Sequence, residues 1–78
     1  MITEAEDYFM KEQLHMNGSF YSSLIDTIKR ADIGNKQRLA KGFPELVEVI
    51  ARFQYELGYF EDLCNRWNAE NPHHQIIP

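Results

Sequence analysis

Two adjacent histidines, one cysteine, two adjacent serines, several paired carboxylates and one basic stretch are the residues of this 78-residue chain that could do chemistry. His73 and His74 would diverge by about 100° on a helix and face opposite ways on a strand. Neither geometry preforms a two-point metal site. His15 and Cys64 stand far off in sequence, and no C-x-x-C or H-x-x-x-H spacing occurs. We therefore expect no metal and no other cofactor.

Nucleophilic catalysis needs an activated group with a base in reach. Cys64 falls on an apolar stripe between Phe60 and Trp67, where a free cysteine behaves as a small buried hydrophobe. Ser22 and Ser23 come early in a helical stretch with no base paired to them. Glu61-Asp62 and the group Glu4, Glu6 and Asp7 could be acid–base pairs, but on a small helical chain they read as a solvated face and helix-end charges. Each of Gly18, Gly34, Gly42 and Gly58 falls where a helix needs to end, so no glycine-rich phosphate loop exists. These patterns lead us to expect a protein that is not an enzyme.

Two binding surfaces are more promising. The net charge of −4 is unevenly spread. Residues 1–28 and 45–78 are mainly acidic, whereas 29–44 carry Lys29, Arg30, Lys36, Arg38 and Lys41 against Asp32 alone. Clustered cations could neutralise nucleic-acid phosphates, and Lys36 to Gly42 followed by a helix has some helix-turn-helix character. Glu45 and Glu48 in the would-be second helix oppose that reading, and a solvated connector balancing acidic neighbours accounts for the same charges. The second surface is aromatic. Ten aromatic residues are ample for a domain this small. Tyr55, Tyr59, Phe60 and Trp67 cluster late in the chain, and a surplus left outside the core would mark an interface.

The elements that position these groups are helical. Thr3-Glu4-Ala5-Glu6 has capping-box form and starts a helix over about 4–16, before the breaker pair Asn17-Gly18. Ser19 can cap a helix over 20–31, in which Phe20, Leu24, Ile25, Ile28 and Ala31 make one stripe. Asn35 can cap a short helix over 36–41, closed by Gly42. Pro44 suits the first position of a helix over 44–57, with Leu46, Val47, Ile50, Phe53 and Leu57 inward and a Glu48–Arg52 pair outside. Helical spacing resumes over 59–68, so Gly58 either separates two helices or kinks one. No strand pattern, repeat or linker occurs. The expected fold is all-α, a small bundle of about four helices forming one domain over 1–68, with a loose C-terminal tail over 69–78. Leu24, Ile28, Ile50, Phe53, Leu57 and Trp67 should be buried together.

Charge 26% and apolar content 44% are ordinary globular values. The acidic first residues lack the pattern of a signal peptide, no apolar run approaches the roughly 20 residues of a membrane span, and one cysteine fits a reducing compartment. A cytoplasmic setting is the expectation.

The residues Gly18-Ser19-Phe20-Tyr21 through Leu24-Ile25, then Ala31-Asp32, Leu39 to Glu45, Tyr55 and Gly58-Tyr59-Phe60, resemble a group of short uncharacterised proteins of bacterial phages and mobile elements. The likeness covers about residues 18–63. It implies a bacterial or phage setting, and it carries no catalytic signature. Taken with the aromatic surplus, it leads us to expect an accessory protein that binds another protein or itself, including as a homodimer. The alternative is a nucleic-acid-associated module using 29–41.

Overall fold

The computed structural model describes residues 1–78 and contains five α-helices: α1 (Glu4–Gln13), α2 (Ser19–Arg30), α3 (Ile33–Gly42), α4 (Pro44–Tyr55) and α5 (Tyr59–Glu70). The all-helical expectation holds, with five separate helices where about four were expected. No helix is long and apolar enough to cross a membrane. Helix α4 packs against each of the other four. It supplies Leu46, Val49 and Ile50 to a core shared with Phe9 and Met10 of α1, Leu24, Ile25 and Ile28 of α2, and Tyr59, Leu63, Cys64 and Trp67 of α5. Helix α3 buries no residue and lies against α4 from outside.

The capping box forms: the Glu6 N–H donates to Thr3 Oγ1 (3.1 Å) and the Thr3 N–H donates to Glu6 Oε1 (3.0 Å). Helix α1 nevertheless ends at Gln13, not Met16. The Met16 N–H turns back to the Lys11 carbonyl (2.9 Å) and the His15 N–H to that of Glu12 (3.1 Å), with His15 in the left-handed region at φ 56°. This crossed closure satisfies the last carbonyls of the helix. It also leaves Met16 exposed, so Met10 takes the core position on α1.

Helix α5 runs on to Glu70, two residues into the segment expected as tail, and three other boundaries differ from expectation for local reasons. Helix α2 opens at Ser19 itself, with Gly18 as a cap that makes no side-chain bond. Helix α3 opens at Ile33 because Asp32 accepts the Asn35 N–H at 2.8 Å; Asn35 is the residue capped, not the cap. Helix α4 stops at Tyr55, and Gly58 adopts φ 86°, a left-handed conformation that ends the continuity of the chain direction. The 44–57 and 59–68 segments are thus two helices, not one with a kink.

That early stop corrects the core. Leu24, Ile28, Ile50 and Trp67 are buried as expected, and Phe53 is partly buried, but Leu57 is fully exposed at 103%. The inner face of α4 reads Leu46, Val49, Ile50 and Phe53, rotated from the stripe through Val47 and Leu57.

The tail is not loose throughout. Asn68 clamps Ile76 by both amide groups, accepting its N–H at 2.7 Å and donating to its carbonyl at 2.8 Å. Trp67 Nε1 donates to the His74 carbonyl at 2.8 Å, and Ile76 joins the core.

Candidate interaction surfaces

The four rings singled out from the sequence separate. Tyr59 and Trp67 are buried core residues, Phe60 is partly buried, and Tyr55 alone is open, at 77%. They do not form one exposed patch, because Tyr59 and Trp67 fall on the inner face of α5 while Tyr55 closes the outer end of α4. Tyr59 is held inside by a polar partner that spacing alone did not reveal.

That partner is Glu6, the one buried charged residue of the chain, at 4% exposure. Tyr59 Oη donates to Glu6 Oε2 at 2.7 Å, and Arg66 spans both carboxylate oxygens at 3.0 and 2.9 Å. With the Thr3 N–H, every oxygen lone pair facing inward has a donor. Burial pushes the Glu6 carboxyl up in pKa, but the Arg66, Thr3 and Tyr59 hydrogen bonds together outweigh it and hold the pKa down to about 2. The Tyr59 phenol is pushed well above its usual range by burial and then by the adjacent carboxylate. Arg66 also binds Asp62 Oδ2 (3.0 Å) and the Met1 carbonyl (2.9 Å). A carboxylate so fully bonded is tied up in joining α1 to α5 and has no free lone pair to offer a reacting proton. Cys64 is likewise enclosed, and burial raises its thiol pKa. His73 and His74 are exposed on the last turn.

An apolar patch does exist, at a different place from the one expected. Lys36 Nζ donates to Gln54 Oε1 at 2.7 Å and sits 5.2 Å from the centre of the Tyr55 ring. Helix α3 therefore folds back along α4, and Ile33, one turn before Lys36, lies at the same end of the pair. Tyr55 and Leu57 make an open apolar corner there, and Ile33 (76% exposed) stands at the neighbouring end of α3. Beside it runs a shallow groove of about 350 Å³ lined by Phe53, Tyr55, Leu57 and Phe60. Of the sequence candidates, Tyr55 and Phe60 belong to this corner; Ile33 and Leu57 were missed. A leucine directly before a left-handed glycine was the available signal.

The basic residues also separate. Lys29 turns inward over the Phe9 and Phe53 rings (5.6 and 5.7 Å), and Lys36 is spent on Gln54 and Tyr55. Arg30 pairs with Asp26 at 2.9 Å. Arg30 and Arg38 line one shallow groove between α2 and α3, with Thr27 and Asn35, while Lys41 is exposed near the far end of α3. Two of the five cations are thus turned to aromatic rings of the bundle.

A broader concavity of about 620 Å³ lies between α1 and α4. One wall is the Tyr8–Tyr21 stack, with centroids 3.9 Å apart and planes within 10°. Phe43 and the edges of Leu46 and Val49 complete the apolar lining, and Glu4, Glu45, Glu48 and Arg52 line it as well. The expected Glu48–Arg52 pair is absent: Arg52 instead grips Glu56 with two bonds of 3.0 Å and lies 4.1 Å over the Tyr59 ring.

Comparison with protein-family models, curated proteins and solved structures finds no match to this chain.

Proposed function

We propose that the chain is a non-enzymatic interaction module that docks another protein through the corner formed by Tyr55 and Leu57, with Ile33 at the neighbouring end of α3. It would serve as the kind of small accessory protein that the phage and mobile-element resemblance implies. The observation that carries this reading is Leu57, which is fully exposed and shares one groove with the open ring of Tyr55. A single exposed leucine is ordinary. Leu57 and Tyr55 in one groove with part-buried Phe53 and Phe60, and Ile33 open on the neighbouring end of α3, make a surface that a partner can dry.

Support for the non-enzymatic part is chemical. The carboxylate with the most perturbed surroundings, Glu6, is consumed by structural bonds, and the one thiol is enclosed with a raised pKa. The nucleic-acid alternative gains less support, since Lys29 and Lys36 are turned to aromatic rings and Arg30 is paired with Asp26.

A photo-crosslinking residue placed at position 57, and in parallel at Gln37 on the exposed side of α3, tests the docking reading in the cell of origin. A discrete protein adduct from position 57 and none from position 37 is the expected result. No adduct from 57, or equal adducts from both, would overturn it. Sedimentation of the purified protein across a concentration series distinguishes a second copy from a foreign partner.

A further inference from the structure

We propose that the cleft between α1 and α4 is a second docking groove, and that its occupant is a basic segment of a partner protein. The groove runs along α4 from Glu45 to Arg52, the apolar corner lies beyond it at the helix end, and the two share no lining residue, so this inference is independent of the corner's role.

The argument starts from uncancelled charge. Of the twelve acids in the chain, Asp7, Asp26, Glu56, Asp62, Glu70 and Glu6 stand in ion pairs. Glu12 accepts bonds from Ser22 and Asn17, and Asp32 caps α3. Only Glu4, Glu45, Glu48 and Glu61 are left without a partner, and the first three all line this one groove. First-turn positions on α1 and α4 account for Glu4 and Glu45, whose carboxylates complement helix N-termini. Glu48 has no such reason. Arg52, one turn on, lines the same groove and feels the Glu48 charge. Its hydrogen bonds go to Glu56 and its guanidinium covers Tyr59, so the three carboxylates outnumber the one cation of the lining.

The rest of the lining completes the selection. The stacked Tyr8 and Tyr21 rings offer flat π-faces, and Phe43 adds a third aromatic surface. A lysine or arginine brings a charged head for the carboxylates and an aliphatic stem for the rings. A neutral apolar segment would strip water from three carboxylates with nothing in return. A nucleic-acid backbone would be repelled. Charge complementarity therefore specifies the partner: a segment alternating basic and apolar side chains.

The test is an amide chemical-shift titration of the full chain with a short helical peptide bearing arginines beside leucines. A twin peptide with glutamate at each arginine is the control. The basic peptide should shift resonances of Tyr8, Tyr21, Phe43 and Glu48, its affinity should fall as salt rises, and the acidic twin should shift none. Glu45→Gln with Glu48→Gln should weaken binding roughly tenfold, whereas Leu57→Ser should leave it unchanged. No groove shifts at about 1 mM peptide, shifts confined to another face, or equal response to both twins would overturn the proposal. So would self-association of the chain alone that the double Gln variant abolishes, since the groove would then belong to a second copy. Because the twin-peptide comparison uses the unaltered chain, it stands even if a variant misfolds.

Discussion

The Glu6 site and the Leu57 corner invert the usual partition of polar and apolar groups. At one, a carboxylate is buried with four donors from Thr3, Tyr59 and Arg66. At the other, a leucine stands wholly in water on the turn between α4 and α5. The first inversion is corrected inside the chain. Each donor is supplied by a residue of the same molecule, and the result is a joint between α1 and the far end of the sequence. Nothing in the chain corrects the second. A buried charge whose needs are met internally is architecture, and an exposed apolar side chain whose needs are not met is available to something else.

This contrast can be broken at its strongest point by Arg66→Met, which keeps the aliphatic stem but removes the cation. Glu6 would remain buried with only the Thr3 and Tyr59 donors. A loss of about 3–5 kcal/mol is expected from leaving one member of a buried pair uncompensated, read by urea unfolding. That is a large share of the roughly 4–12 kcal/mol available to a domain of this length. A loss under 1 kcal/mol would show that the joint is ornamental.

Acid titrates the same joint. The Glu6 pKa is held to about 2, below its usual value of 4.5, so the carboxylate's contribution is complete above pH 4.5 and drains as the pH falls toward 2. Stability should drop by up to about 3 kcal/mol across that window, and the drop should shrink in Arg66→Met. Tyr59→Phe sharpens the comparison further. It deletes one donor, leaves the ring packed, and should cost about 1.5–3 kcal/mol as a lost bond to a charged group. The Glu6 carboxyl should titrate at higher pH in that variant, which side-chain carboxyl NMR resonances would register.

Much of the bundle was legible because its signals are local. The capping box at Thr3 and Glu6, the stripe through Leu24, Ile25 and Ile28, and Pro44 at a helix start are all readable within one or two turns. The misses share a different cause. Glu6 read as helix-end charge because its partner Arg66 lies sixty positions away, and no pattern within α1 points to it. Leu57 read as core because the spacing was carried across a helix end that Gly58 enforces. Ile76 sat in an expected loose tail, and the Asn68 clamp, with the Trp67 bond to the His74 carbonyl, brings it inward. The basic run read as one patch, but Lys29 and Lys36 are drawn to neighbouring rings by contacts that depend on how α1, α3 and α4 pack.

The central claim is that the buried polar joint holds this fold while the exposed apolar corner does not. Equilibrium urea unfolding of Leu57→Ser beside Arg66→Met and the unaltered chain tests it most directly. Leu57→Ser should stay within about 0.5 kcal/mol of the unaltered chain, as surface substitutions do, while Arg66→Met loses several times that. A Leu57→Ser loss comparable to that of Arg66→Met would contradict the account, because the corner would then be part of the architecture.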